Sequence, residues 1–80
     1  MNQALLQIVR EVLAEATTEP RLLTAPPEEV SLVSLAIPSV EMIGVVIDLE
    51  DRLGRVIDQT QMYELRTVAD LVHALDADGG

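Results

Sequence analysis

The chain has no cysteine, no lysine, no phenylalanine and no tryptophan, and Tyr63 is its only aromatic residue. Without thiols there is no disulfide framework, thiolate zinc site or catalytic cysteine, so packing alone must hold the fold. Without aromatics there is no platform on which nucleic-acid bases or sugars could stack. Basic charge is scarce as well. Five arginines against fourteen Asp and Glu leave a net charge of −9, which repels phosphate backbones and anionic membrane surfaces. No nucleic-acid or membrane partner is expected, and a charged partner should be basic. No apolar run approaches the roughly 20 residues that span a bilayer. The opening segment is broken by Gln7, Arg10 and Glu11 and has no basic lead, so it does not read as a signal peptide. These exclusions predict a cytoplasmic protein.

What remains is 80 residues with 49% apolar side chains, enough for one small core but not for a cleft between two lobes. That argues against a self-contained enzyme. From Asn2 to Ala16, Leu5, Ile8 or Val9, Val12 and Ala16, with Leu6 and Leu13 beside them, recur at steps of three and four and predict an amphipathic first helix. Pro20 ends it by biasing Glu19 toward extended geometry. A loop with three further prolines reaches Pro38, pinned by Leu22, Leu23, Val30, Leu32, Leu35 and Ile37, with a short helical turn at Pro27-Glu28-Glu29. A second helix is predicted from Ser39 to Leu53, stopped by Gly54, with Met42, Ile43, Val46, Leu49 and Leu53 as its buried stripe. A short third helix follows near 59–64, capped by Asp58. A fourth covers 67–75 and buries Val68, Leu71, Val72 and Leu75, and 77–80 is expected to fray. No segment alternates long enough for a sheet. The predicted fold is therefore an all-α, small four-helix bundle with a long loop between helices 1 and 2 and a short third helix, one domain over residues 1–76.

Conventional catalytic patterns fail on these residues. His73 is the only histidine, and with Ser31, Ser34 or Ser39 and scattered acids it makes no triad in a chain too short to bury a substrate. Asp48, Glu50 and Asp51 lack the glycine-bearing loop and ligand spacing of a calcium site. No metal site is expected. Met42 and Met62 fall on apolar stripes and read as core filler.

One stretch carries more information. Ser31-Leu32, Leu35, Ser39, Leu49-Glu50 and Leu53-Gly54 together resemble the phosphopantetheine-attachment region of the acyl and peptidyl carrier proteins. In that family a segment of the form S-L-x-x-L-G-x-D-S-L leads into a helix ending L-E-x-x-F-G. Farther on, Thr67-Val68-Ala69-Asp70-Leu71-Val72 resembles the family's T-V-x-D-L-V helix. The likeness extends from about Leu5 to Leu75, including the long first loop and the short third helix. It places Ser39 on the modified serine, whereas Ser34 lies five residues too early relative to Leu49-Glu50. Three positions depart from the pattern. Ala36 stands for the family's glycine, Pro38 for the aspartate before the serine, and Val40 for the leucine after it. The resemblance implies that the aspartate helps the family's activating transferase and its magnesium engage the carrier, so Pro38 bears on which transferase acts and leaves the nucleophile in place.

A serine hydroxyl at a helix start can attack the pyrophosphate of coenzyme A when a separate transferase supplies base and metal. The phosphodiester formed sits at the positive end of the helix, where backbone N–H groups and the dipole favour an anion. Taken without the resemblance, Ser39 reads as a plain helix cap worth about 1 kcal/mol. With it, the expectation is a non-enzymatic carrier that holds acyl or aminoacyl groups as thioesters on a 4'-phosphopantetheine arm at Ser39.

Val40, Gly44, Ile47 and Asp51 fall on one stripe of the second helix at steps of four, three and four, away from the buried line through Ile43, Val46, Leu49 and Leu53. The resemblance makes this stripe the docking face, with Glu41, Asp48, Glu50 and Asp51 supplying acid for basic grooves on partner enzymes. The partners implied are a phosphopantetheinyl transferase and acyltransferase, adenylating or ketosynthase-type enzymes. Met1 and the short length predict a free-standing monomeric carrier. The altered Pro38-Ser39-Val40 motif points to a specialised polyketide or nonribosomal peptide pathway. A housekeeping fatty-acid carrier is the alternative, and an unmodified acidic helical adaptor is a second one that leaves the spacing of Ser39 unexplained.

Overall fold

The computed structural model describes residues 1–79. The first helix, α1 (Gln3–Ala16), starts where Asn2 accepts a hydrogen bond from the Leu5 N–H. It buries Leu5, Leu6, Val9, Val12 and Leu13, so Val9 and not Ile8 is its fully inward residue. Thr17 turns the chain into extended geometry, its N–H still donating to the Leu13 carbonyl.

The segment from Thr18 to Pro38 is not a bare loop. It holds a single-turn α2 (Arg21–Thr24) and two 3₁₀ turns, Pro27–Glu29 and Val33–Leu35. Leu22 is fully buried, and its carbonyl accepts from the Arg10 guanidinium at 2.6 Å, which fastens the segment to α1. Leu23, expected among the anchors, is exposed instead, because one turn of helix cannot aim two successive side chains inward. The second fastening is a strand-like contact too short to count as a sheet. Leu32 N–H donates to the Arg66 carbonyl, Val68 N–H donates to the Val30 carbonyl, and Ser31 bridges Thr67.

The predicted second helix is α3 (Ser39–Leu53), and Gly54 closes it at φ 68° with its N–H on the Glu50 carbonyl. The buried stripe differs from expectation. Val45, Val46 and Leu49 face the core, Met42 and Leu53 are half-buried, and Ile43 stands 43% exposed. Because apolar residues surround this helix, stepping by three and four selects two faces equally well, and contact with α1 decides for Val45 at 4% exposure.

The third predicted helix is a single turn, α4 (Gln59–Met62), shorter than 59–64. It is capped by Asp58, whose carboxylate accepts from the Thr60 N–H and hydroxyl. The last, α5 (Val68–Gly79), opens on a reciprocal box: Asp70 accepts from the Thr67 N–H and Thr67 Oγ1 accepts from the Asp70 N–H. This helix runs on to Gly79 and so takes in 77–79, where the sequence predicts fraying; Gly80 lies outside the described residues. Asn2 donates to Asp76 beyond the last core residue, Leu75, and the helical ladder continues from there. Packing of α1 against α2, α3 and α5 makes one core. No strand forms among the described residues, so the all-α class holds with five helices in place of four.

Two backbone positions carry a testable cost. Ala36 sits in the left-handed region at φ 54°, a conformation that favours glycine over residues with a Cβ. Gly44 sits in the middle of α3, where a Cβ would meet nothing within 4 Å. Ala36→Gly and Gly44→Ala should each stabilise the fold by about 1 kcal/mol, since an L side chain disfavours the first site and backbone entropy the second. Urea denaturation checks this, and a lower midpoint for either variant would contradict the backbone conformation at that position.

Candidate functional site

Pro38 makes Ser39 the first residue of α3. The Pro38 carbonyl accepts from both the Glu41 and Met42 N–H groups, and Pro38 rather than Ser39 occupies the capping position. The Ser39 side chain thus has no capping bond, and its residue is exposed. The N–H groups of Ser39 and Val40 likewise have no backbone partner, which leaves two donors and the positive end of a 15-residue helix beside a free hydroxyl. A phosphodiester on Ser39 Oγ would meet donors there, so these residues fit such a group. An apolar hollow of about 260 Å³ opens next to Ser39, walled by Val33, Ile37, Met42, Met62 and Tyr63. Val33 and Tyr63 are largely exposed. Neither was legible as a neighbour of Ser39, because each lies on a short turn with no periodic pattern.

The expected docking stripe divides into groups. Val40 is 75% exposed and Ile47 51% exposed, with Gly44 and Asp51 exposed between and beyond them. Ile43 joins them, so three large apolar side chains stand on the solvent side of α3. Glu41 is exposed in the first turn. Asp48 and Glu50 are half-buried and engaged within the protein. Asp48 accepts from Arg52 Nε at 3.1 Å, and Arg52 also reaches Glu15 at 3.3 Å and Glu11 at 3.7 Å on α1. The hydrogen bond and charge of Asp48 hold the Arg52 guanidinium even higher than its ordinary range. Glu50 Oε2 accepts from the Ile57 N–H at 2.7 Å and holds the segment that follows Gly54. Of the four acids, Glu41 and Asp51 are exposed and make no ion pair among the described residues.

Ser34 is also exposed, but it sits on the 3₁₀ turn with its N–H on Ser31 Oγ and has no long helix behind it. His73 is exposed on α5. Asp48, Glu50 and Asp51 do not converge, and no group of three metal-ligating side chains forms among the described residues. No helix among them is long and apolar enough to cross a membrane.

The Asp58 carboxyl, near the entrance to α4, is held below the usual aspartate range, first by the Thr60 hydroxyl and then by the Thr60 N–H. A carboxyl depressed in the folded state contributes stability that is complete above its unfolded pKa, about 3.9, and is lost as pH falls through the folded value. Thr60→Ala should move the Asp58 titration midpoint upward by removing the stronger donor. Carboxyl-carbon NMR titration reads this directly, and an unmoved midpoint would assign the depression to another cause.

Comparison with known proteins gives one positive result. A family model described as the phosphopantetheine attachment site matches residues 3–75. No curated protein and no solved structure matches the chain.

Proposed function

The chain belongs to the phosphopantetheine-attachment family, whose members bind 4'-phosphopantetheine covalently, and from that membership we propose that Ser39 is the residue that bears the arm. When bound, the arm supplies a terminal thiol on which acyl or aminoacyl groups are held as thioesters. The observation that carries this reading is the Ser39 hydroxyl, exposed and uncapped at the start of a long helix. During attachment Ser39 Oγ forms the new bond to the pantetheine-side phosphorus as the pyrophosphate P–O bond of coenzyme A breaks, adenosine 3',5'-bisphosphate leaves, and the serine proton passes to the transferase's base. The Ser39 and Val40 N–H groups then orient the phosphodiester. The protein is a carrier that leaves the chemistry on its cargo to partner enzymes, and residues 1–76 form a single carrier domain. The replacement of the D-S-L pattern by Pro38-Ser39-Val40 supports a specialised polyketide or nonribosomal peptide pathway.

Partner enzymes dock on α3 through Val40, Ile43 and Ile47, with Glu41 and Asp51 answering basic groups. Exposed ion pairs are worth about 0–1 kcal/mol each, so the acids act chiefly on encounter rate and salt sensitivity. Ile47→Ala and Asp51→Arg should raise the KM of a transferase that loads the protein, while Glu28→Arg, on an exposed turn elsewhere, should not. Glu50→Arg is a poorer probe because it also breaks the bond to Ile57. Loading kinetics at low and moderate salt decide the matter, and a larger effect of Glu28→Arg would move the docking face off α3.

A further inference from the structure

We propose that α4 and the loop that carries it, residues 55–66, form a hinged wall of the hollow beside Ser39 that swings open while the rest of the core stays folded. Few apolar contacts hold this segment. Met62 is its one buried side chain, and Val56 near its start is 91% exposed. A helix of four residues is not stable by itself, because its first turn fixes several dihedral angles for a single hydrogen bond. Polar fastenings must therefore keep it closed. Glu50 on α3 accepts from the Ile57 N–H, and the Arg55 guanidinium donates to the Leu75 carbonyl on α5. Gly54, left-handed at φ 68°, bounds the segment at one end, and the bond from the Leu32 N–H to the Arg66 carbonyl bounds it at the other.

The Arg55 fastening is incomplete, an observation independent of the sparse packing. Its Nη1 is buried without an acceptor, and its guanidinium makes no ion pair among the described residues. Closing the wall thus takes N–H donors out of water without replacing every bond, whereas opening returns all five to water. That favours release. Met62, Tyr63 and Leu65 line the hollow from the moving side, and Val33, Ile37 and Met42 line it from the fixed side. Opening therefore bares Met62 and widens the room next to the Ser39 hydroxyl. It needs no group on Ser39, so it occurs in the unmodified protein. Where Ser39 bears the arm, α4 sets the space beside it, a consequence that rests on the carrier reading.

The test follows Met62 in the full unmodified chain. Hydrogen peroxide gives one oxygen to an accessible thioether and leaves as water, so the initial rate of Met62 sulfoxide formation, relative to Met1, reports how often the wall is open. In the wild type that ratio should stay flat through low urea, where amide exchange at Leu49 and Leu71 rises with denaturant because it requires global unfolding. Arg55→Ala should raise the Met62 rate about tenfold, the size of one hydrogen bond to a charged group, and Glu28→Ala should leave it unchanged. If circular dichroism shows Arg55→Ala to be unfolded, Glu50→Ala, which releases the other fastening, takes its place with the same expected rise. A Met62 rate that climbs with urea in step with Leu49 and Leu71, or one that neither variant moves, would overturn the proposal. Loading of Ser39 plays no part in these measurements. Their failure leaves the carrier reading standing, and a failure of attachment leaves the hinged wall in place.

Discussion

Ser39→Ala is expected to abolish phosphopantetheine attachment outright, while Ser34→Ala leaves it intact. The two serines lie five residues apart and both are exposed, so accessibility does not separate them. Register and geometry do. Only Ser39 keeps the family distance to Leu49-Glu50, and only Ser39 has the first-turn N–H groups of a 15-residue helix beside its hydroxyl. Removing the nucleophile leaves no oxygen to form the bond to phosphorus, so the effect is all or none. The fold should be unaffected because the Ser39 side chain makes no capping bond, and circular dichroism of the variant should overlay the wild type.

The second large effect is on stability. Leu49 and Leu71 are both completely buried and belong to the one core that α1, α3 and α5 build. Truncating either to alanine costs roughly 2–5 kcal/mol, against a total of roughly 3–5 kcal/mol for a domain of this size with no disulfide or metal. Leu49→Ala or Leu71→Ala should therefore leave a large unfolded fraction at room temperature. Ile47→Ala, on the exposed side of the same helix as Leu49, should change stability by no more than about 0.5 kcal/mol. Thermal melts followed by circular dichroism compare the three, and a cooperative melt for Leu71→Ala at the wild-type midpoint would mean that the core is misplaced.

Some of this architecture was legible in the chain and some was not, for physical reasons. The bounds of α1 and α3 follow from signals that act locally: Asn2 as a cap, Pro20 and Pro38 as breaks, Gly54 as a left-handed stop. The rotation of α3 does not, because Met42, Ile43, Val45, Val46 and Ile47 make it apolar on most sides and only contact with α1 selects Val45 over Ile43. The segment between α1 and α3 is ordered by bonds between distant residues, Arg10 to Leu22 and Leu32 to Arg66, which no periodicity announces. At the site, the position of Ser39 was legible from its spacing to Leu49-Glu50. That Pro38 takes over the capping role and frees the Ser39 hydroxyl was not, since serine at a helix start normally caps it. The same holds for Glu50. Its charge suggests a partner contact, while its carboxylate in fact accepts from the Ile57 N–H.

The most direct measurement is tandem mass spectrometry of the wild-type protein after incubation with coenzyme A and a transferase of broad specificity. A single phosphopantetheinyl group on the peptide containing Ser39, with fragment ions that place it on that residue, is the predicted result. An adduct on Ser34, or unmodified protein with several such transferases, would contradict the assignment of Ser39.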